Sequence, residues 1–189
     1  MDRCTWVGID KIYQDYHDRD WGVPEYDSRA LWEKLILDGF QAGLSWITIL
    51  KKRPAFRSAF AGFDPQEIAG WGAAEVEVLL QNPGIVRHRG KIEATIGNAQ
   101  AYLRLAEEMP FSDRMWAYVD GRPIVAGYET LAQVPTQSPL SQKISKDLKA
   151  AGFKFCGPTI VYAWMEACGL YNNHILSCYR HHVVTALAR

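Results

Sequence analysis

Two cysteines and two histidines near the ends of the sequence are residues that could bind a metal ion. Cys4 and His17 lie near one end, and His174 and Cys178 lie near the other. The i, i+4 spacing of the second pair places both side chains on one face of a helix or turn. Two Cys and two His suit tetrahedral zinc with no open position for catalysis, so such a site would join the two ends and act structurally.

The spacing leaves two alternatives open. One is a more compact ligand set, which consists of Cys168, His174, Cys178 and His182. The other is that the cysteines are ordinary buried thiols and that the histidines lie on the surface.

A single carboxylate lies on the apolar stripe of a predicted helix. Residues 28–39 place Leu31 and Leu35 on one helical face, and Asp38 falls on the same face. A buried carboxylate costs free energy unless it is paired or used, and such groups are often functional. The alternative is a helix-end Asp that accepts hydrogen bonds from backbone amides around Gly39, and both interpretations stay open on the spacing.

Aromatic residues are concentrated in the first 46 positions. They are Trp6, Tyr13, Tyr16, Trp21, Tyr26, Trp32 and Trp46. Any one ring can be explained by core packing. Seven rings interleaved with polar residues also suggest a pocket for a flat ligand, above all a flat cation, because ring faces attract positive charge.

The elements that must position these residues are helices. Helical periodicity predicts helices over residues 28–39, 45–53, 74–81, 90–107, 112–119, 141–151 and 158–168. Pro54 is expected to end the second of these helices. Only Arg122–Tyr128 resembles a strand, and the alternation of a parallel α/β sheet is absent. We therefore predict an all-α protein that forms a single domain over residues 1–189.

A second motif lies within Ser141–Leu170. A helix that carries several lysines runs to Gly152, a tight turn follows, and Pro158 opens an apolar helix. This is the shape of a helix-hairpin-helix, predicted here over about residues 141–169. The backbone amides of its turn and the N-terminus of its second helix can hold a DNA phosphate. An ordinary helical hairpin is the alternative.

Charge and composition limit the function classes. The sequence has 21 Lys and Arg against 21 Asp and Glu, so attraction to nucleic acid by bulk charge is excluded and any DNA contact must be local. Local basic clusters lie at 51–57, 87–91 and 143–154, and each could also be a solvated helix face. No apolar run approaches the ~20 residues of a membrane helix, and no signal segment is present. We expect a cytoplasmic protein with no membrane association and no obligate protein partner.

Six stretches, spread in order over nearly the whole chain, resemble the 3-methyladenine DNA glycosylase I family. They are Arg3–Trp6 (RCTW), Tyr13–Pro24 (YQDYHDRDWGVP), Gly39–Thr48 (GFQAGLSWIT), Gly84–Lys91 (GIVRHRGK), Gly152–Thr159 (GFKFCGPT), and Ala167–Leu170 with Asn173-His174. The resemblance implies the helix-hairpin-helix glycosylase fold and one structural zinc held by Cys4, His17, His174 and Cys178. It also implies a monofunctional hydrolase that excises 3-methyladenine, with some 3-methylguanine, from alkylated double-stranded DNA.

The aromatic residues and Asp38 fit a mechanism in which the damaged base is extruded from the duplex into a pocket. Trp46 and Tyr16 would stack on the purine or flank it, and Tyr13 would hydrogen-bond or pack nearby. Asp38 would accept a hydrogen bond from the exocyclic amine. A 3-methylated adenine is already a good leaving group in its cationic nucleoside form. Water would therefore attack the sugar without a lyase step.

Other residues are expected to contact the DNA. Leu44, on a turn that contains Gly43, is expected to act as an apolar wedge in the gap left by the base. Lys154 and the backbone amides around Gly157 are expected to grip the phosphate backbone.

Asp38 also marks a departure from the family, which usually has Glu at this position. Asp is one methylene shorter, so either the pocket has shifted or the contact runs through water. A function from another class therefore stays open, namely a non-catalytic zinc protein that binds DNA or a free methylated purine. An excision assay on alkylated DNA distinguishes the two.

Overall fold

The computed structural model describes residues 2–187, which form ten α-helices and one small pair of strands. The helices are α1 Lys11–Arg19, α2 Ser28–Gln41, α3 Trp46–Ala59, α4 Pro65–Ala69, α5 Ala73–Leu80, α6 Arg89–Glu108, α7 Phe111–Ala117, α8 Pro139–Ala150, α9 Pro158–Ala167 and α10 Arg180–Thr185. Residues 1 and 188–189 of the predicted 1–189 domain lie outside the described residues. Within 2–187, no helix combines the length and apolar character needed to cross a membrane.

The predicted all-α class is confirmed, and the small strand pair explains the strand-like segment. Arg122–Tyr128 contains β1, Ile124–Val125, which pairs in parallel with β2, Tyr171–Asn172. Because β2 follows α9, this pairing fastens the end of α9 to the segment that precedes α8. The sequence analysis did not predict β2, since a strand of two residues carries no periodicity.

The prediction that Pro54 ends the helix over 45–53 is wrong. α3 continues through Pro54 to Ala59. A proline inside a helix removes one backbone hydrogen bond and costs roughly 3 kcal/mol. The continued helix carries Phe56 into the core and leads directly to Phe60, and both rings are fully buried. Burial of each ring contributes about 1.5–3 kcal/mol, which offsets the cost of the proline.

The candidate site is built around α2. Asp27 caps the start of this helix, because its side chain accepts a hydrogen bond from the Ala30 N–H at 2.7 Å. Nine of its 14 residues are buried, since α3, α6, α7 and α9 pack around it. Asp38 lies in the last turns of α2, so the surrounding helices fix its position.

The apolar core has two parts. The larger part surrounds α2 and includes Trp32, Phe40 and Trp164. The smaller part lies beneath the two chain ends and consists of Cys4, Val7, Tyr16, Trp21, Leu50, Ala167, Ile175 and Cys178. Since it contains two cysteines of the predicted metal site together with the Tyr16 ring of α1, the smaller part links the chain ends to the candidate pocket.

Candidate active site and metal cluster

The four residues of the terminal ligand set meet in one buried cluster and so join the two ends of the described chain. Cys4, His17, His174 and Cys178 are each at most 1% exposed, and their ligand atoms lie within 4.8 Å of one another. The shortest distances are 3.4 Å from Cys178 Sγ to His17 Nε2, 3.5 Å from Cys178 Sγ to His174 Nδ1, and 3.6 Å from Cys4 Sγ to His174 Nδ1.

These distances fit a tetrahedral metal ion. Zinc bonds measure about 2.3 Å to sulfur and about 2.0–2.1 Å to nitrogen, so two such ligands at the tetrahedral angle lie roughly 3.5 Å apart. Hydrogen bonding from Cys4, and then from both histidines, lowers the pKa of the Cys178 thiol well below its usual value. A lowered pKa favours the thiolate form that binds metal. The cluster therefore has the donor set and the proximity that a metal ion requires.

The remaining nitrogen of each histidine faces an oxygen. His17 Nδ1 lies 2.8 Å from Asp18 Oδ1, and Arg3 holds that carboxylate through Nη2 to Oδ2 at 2.7 Å. His174 Nε2 lies 3.2 Å from the Trp21 carbonyl oxygen. Contacts of this kind fix the tautomer and the ring orientation of metal-binding histidines. They leave His17 Nε2 and His174 Nδ1 to face the centre of the cluster.

The compact ligand set is not formed. Cys168 is fully buried in the larger part of the core, whereas His182 is exposed on α10. α10 buries Val184, which lies two residues from His182 and therefore on the opposite face of the helix. Within residues 2–187, the terminal set is the one group of Cys, His and acidic side chains with the proximity that a metal ion requires.

A cavity of about 220 Å³ lies beside the metal cluster. Since one water needs roughly 10–15 Å³ of such space, the cavity has the size of a ligand site. Five of the seven aromatic residues noted in the sequence line it, namely Trp6, Tyr13, Tyr16, Trp21 and Trp46. The other two lie in the core region, where Tyr26 stacks on Trp116 with ring centroids 4.5 Å apart and Trp32 is fully buried.

Asp38 lines this cavity from α2. It is 3% exposed, and its Oδ2 atom is buried without a hydrogen-bond partner among the described residues. Burial raises the pKa of this carboxyl group well above its usual value, while Lys34 lowers it and Glu166 raises it. The described part of the chain shows no hydrogen bond from Asp38 to the backbone around Gly39. Because an unpaired buried oxygen is costly, the geometry favours a donor supplied by a ligand.

The cavity rings support one another. The Tyr16 and Trp46 centroids lie 5.5 Å apart at an interplanar angle of 47°, and Trp6 packs edge-on against Tyr13 at 5.5 Å. The Tyr13 hydroxyl accepts a hydrogen bond from the Ile47 N–H at 3.0 Å, which ties α1 to the start of α3. Because Tyr16 and Trp46 are already in contact, a flat ligand fits against these rings rather than between them.

Glu166, which the sequence analysis did not single out, lines the same cavity from α9. Its Oε1 atom accepts a hydrogen bond from Asn173 Nδ2 at 2.8 Å. Burial raises the pKa of this carboxyl group to about 7. Glu166 is the one charged residue of the largely apolar helix α9. The argument that identified Asp38 from its apolar stripe would therefore have identified Glu166 as well.

The turn between α2 and α3 places an exposed apolar side chain next to the cavity. Gly43 has a φ of +80°, a left-handed conformation that glycine adopts without strain. Leu44, the next residue, is 42% exposed. Trp46 follows two positions later and lines the cavity, so the exposed leucine and the cavity wall share one short segment.

Lys91 supports this turn from α6. Its Nζ atom donates to the Phe40 carbonyl oxygen at 2.8 Å and to the Ala42 carbonyl oxygen at 2.6 Å. Lys91 is only 7% exposed, so it does not belong to the basic surface over 87–91 that the sequence suggests. It caps the last carbonyls of α2, as cations at helix C-termini commonly do.

The predicted hairpin consists of α8, a turn over residues 151–157, and α9. Gly152 has a φ of +104°, and Ser145 Oγ donates to the Cys156 carbonyl oxygen at 2.6 Å, which closes the turn onto α8. The Lys154 side chain is exposed. Gly157 precedes α9 without a capping side chain, so the first N–H groups of α9 have no intrahelical acceptor and can receive an anion.

This hairpin, the ring-lined cavity and the helical architecture are those of the helix-hairpin-helix DNA glycosylases. More specifically, the chain belongs to the methyladenine glycosylase family, whose profile matches residues 6–181.

Individual relatives match over nearly their full length. The chain is 51% identical to the DNA-3-methyladenine glycosylase 1 of Escherichia coli (strain K12) over 179 residues, which cover 94% of this chain and 96% of that protein. A crystal structure of a 3-methyladenine DNA glycosylase I is 51% identical with a TM-score of 0.93, covering 94% of this chain and 98% of that one. Another, of a tyrosine-to-phenylalanine variant in complex with 3-methyladenine, is 42% identical with a TM-score of 0.92, covering 95% and 97%.

Proposed function

We propose that this protein flips 3-methyladenine out of alkylated double-stranded DNA and hydrolyses the bond between the base and its sugar. The observation that carries the proposal is the Asp38 carboxyl group, buried without a partner in a ring-lined cavity. The relatives named for this activity, and the structure of a relative with 3-methyladenine bound, support the choice of base.

The cavity suits a methylated purine cation better than a normal base. In DNA, 3-methyladenine carries a positive charge, which the faces of Tyr16 and Trp46 attract. Asp38 accepts a hydrogen bond from the exocyclic amine, and its negative charge favours the cation. The Tyr13 ring forms part of the cavity wall. Its hydroxyl oxygen accepts from Ile47, so its O–H can still donate a hydrogen bond to the base. A neutral adenine gains less from both the rings and the carboxylate.

The reaction needs little acid assistance. The bond between the sugar carbon and the base breaks with its electron pair moving to the base, which leaves as a neutral molecule. A water oxygen bonds to the sugar carbon and releases its proton to solvent. Among the described residues that line the cavity, none is a lysine that could form a Schiff base. We therefore assign a monofunctional hydrolysis, with 3-methylguanine as a minor substrate.

We assign the DNA contact to two segments, the turn at Gly43 and Leu44 beside the cavity and the hairpin turn before α9. Leu44, presented by the Gly43 turn, fills the gap in the stack when the base leaves. The exposed Lys154 and the free N–H groups around Gly157 bind the phosphate backbone. Since the net charge is zero, this grip is local and involves few phosphates.

The metal of the cluster is zinc, one ion per chain, with a structural role. Cys4, His17, His174 and Cys178 fill all four positions of a tetrahedral ion, so no position remains for water or substrate. The cysteines of the chain are buried and form no disulfide. This pattern agrees with a reducing compartment, and we place the protein in the cytoplasm.

The test is a glycosylase assay on duplex DNA treated with a methylating agent. The protein should release 3-methyladenine, identified by chromatography, and should leave abasic sites without breaking the strand. Release of no methylated base by zinc-loaded, folded protein would reject the proposal and favour a non-catalytic zinc protein. Binding of free 3-methyladenine without excision would identify that alternative directly.

A further inference from the structure

A second carboxyl group, besides that of Asp38, lines the cavity. Glu166 enters it from α9, whereas Asp38 enters it from α2, and these two helices pack against each other. We infer that Glu166 contacts the flipped base and that the Asp38–Glu166 pair selects 3-methyladenine over 3-methylguanine. This inference rests on the proposed excision activity and adds a specificity-determining residue to it.

Asn173 holds the Glu166 side chain in place. Its Nδ2 atom donates to Glu166 Oε1 at 2.8 Å and to the Tyr162 hydroxyl at 2.9 Å. Asn173 is 1% exposed and directly precedes the metal ligand His174. Because a carboxylate offers about four acceptor positions, this bond leaves Glu166 acceptor capacity for a ligand.

The unpaired polar atoms of the cavity wall are mainly acceptors. Asp38 Oδ2 and Asn173 Oδ1 are both buried without a hydrogen-bond partner among the described residues, and Trp46 Nε1 is the one donor in the same condition there. A ligand that fits this wall should present hydrogen-bond donors and positive charge. The exocyclic amine of a methylated adenine cation provides both.

Burial in the cavity also disfavours the ionised form of both carboxyl groups. Burial raises the pKa of Glu166 to about 7 and raises the pKa of Asp38, and Glu166 adds to the second effect. The nearby cation, Lys34, donates a hydrogen bond to the Ala167 carbonyl oxygen at 3.2 Å and is therefore only partly available to the two carboxyl groups. A cationic base relieves the repulsion between the carboxylates, whereas a neutral base does not.

The same wall disfavours guanine. Where adenine carries an amine that donates, guanine carries the O6 oxygen, which only accepts. An oxygen facing two ionised carboxylates finds no donor and is repelled. Replacing one carboxylate with an amide would supply a donor to O6 and remove an acceptor for the adenine amine. The ratio of the two excision rates therefore reports whether Glu166 contacts the base.

The test compares the wild type, Glu166→Gln and Glu107→Gln on one methylated duplex, with single-turnover release of both bases measured. Gln keeps the oxygen that accepts from Asn173, and Glu107 is an exposed residue of α6 that provides the same chemical change away from the cavity. We expect Glu166→Gln to lower the ratio of 3-methyladenine to 3-methylguanine release about 5- to 100-fold. Glu107→Gln should leave the ratio unchanged.

Melting temperature and bound metal establish that each variant is folded. Glu166→Asp, which keeps the charge one methylene further back, serves if Glu166→Gln does not fold, and its ratio should fall below that of the wild type. A wild-type ratio in either folded variant would overturn the role of Glu166 while leaving the proposed function intact. A wild type that releases no methylated base would instead overturn the proposed function.

Discussion

The side chain of Asn98 pairs with both polar groups of the Lys154 main chain. Asn98 Oδ1 accepts from the Lys154 N–H at 2.8 Å, and Asn98 Nδ2 donates to the Lys154 carbonyl oxygen at 3.1 Å. Asn98 is buried on α6, 56 residues away along the chain. The tip of the hairpin turn is thus fixed from outside the hairpin, and the exposed lysine projects from a rigid backbone.

The first prediction concerns this pairing. Asn98→Ala removes both hydrogen bonds and should lower the free energy of unfolding by roughly 1–3 kcal/mol. At temperatures well below its melting temperature, where the variant is folded, it should also bind duplex DNA more weakly, because Lys154 loses its fixed position. Gln100→Ala is the matched control, since Gln100 lies on the same helix but donates to the Ala69 carbonyl oxygen. Equal DNA affinity for both variants would show that the turn does not need this support.

Lys154 itself should bind phosphate without regard to the base. Lys154→Glu is expected to weaken binding to alkylated and undamaged duplex alike, and to reduce the slope of log K against log salt by about 0.9. Fluorescence anisotropy over a salt series measures both effects. Arg122→Glu carries the same charge change on an exposed residue near β1, beyond the opposite end of α9. If Arg122→Glu weakens DNA binding more than Lys154→Glu does, the DNA does not bind at the hairpin turn.

Loss of the metal cluster should destabilise the protein. Cys4→Ser removes one ligand and opens a very long loop, so we expect loss of bound zinc and a fall in melting temperature on the order of 10 °C. Cys168→Ala, a buried thiol outside the cluster, should keep its zinc. Elemental analysis of the two purified variants measures the zinc bound per chain. Retained zinc in Cys4→Ser together with zinc loss in Cys168→Ala would contradict the terminal ligand set.

Asp38→Asn should slow excision of 3-methyladenine by roughly 5- to 150-fold, equivalent to about 1–3 kcal/mol, because the amide removes the charge and one acceptor oxygen. Asp38→Glu should match or exceed the wild type, since the open cavity beside Asp38 has room for one more methylene. A slower Asp38→Glu would indicate overpacking. Asp113→Asn, on the exposed face of α7, controls for the amide change. Equal rates for Asp, Asn and Glu at position 38 would make this carboxyl group structural.

The raised pKa of Glu166 predicts a dependence of stability on pH. Native Glu166 keeps its proton up to a pKa of about 7, whereas the unfolded residue loses it near 4.3. The native state therefore binds more protons between these values, and this group lowers stability as pH rises through that window. The stability of Glu166→Gln relative to the wild type should therefore increase between pH 5 and 8. Asp38 and Lys34 are the charged groups near Glu166 in this part of the molecule. Thermal melts of zinc-saturated protein measure this difference, and a constant difference would contradict it.

Local sequence patterns identified the candidate site residues that can be recognised from residue type and spacing alone. Cysteine and histidine have few common roles, so their spacing left two ligand sets and the alternative of no metal site. The family resemblance favoured the terminal set, and this is the set that forms. Asp38 was visible because a carboxylate interrupts an apolar stripe. The all-α class followed from periodicity, which requires no knowledge of tertiary contacts.

Features that depend on long-range contacts were not visible in the sequence. Lys91 lies among other basic residues, and nothing nearby indicates that its amine reaches carbonyl oxygens at the end of α2. The bond between Glu166 and Asn173 depends on how the chain turns back after α9. Pro54 was misinterpreted because its local cost is clear, whereas the burial of Phe56 that compensates for it is a property of the folded core.

The junction of the chain ends also bears on which segments are free to open locally. Domains commonly fray at their termini, but here the Tyr179 N–H bonds the Asp2 carbonyl oxygen at 3.0 Å beside the metal cluster. Residues 126–138, in the middle of the chain, are largely exposed and contain only the short 3-10 helix Leu131–Gln133. Leu131 and Val134 of that segment line the cavity. We therefore expect this wall of the cavity, rather than the joined ends, to open locally at a low free-energy cost, which hydrogen exchange of the backbone amides over 126–138 would measure.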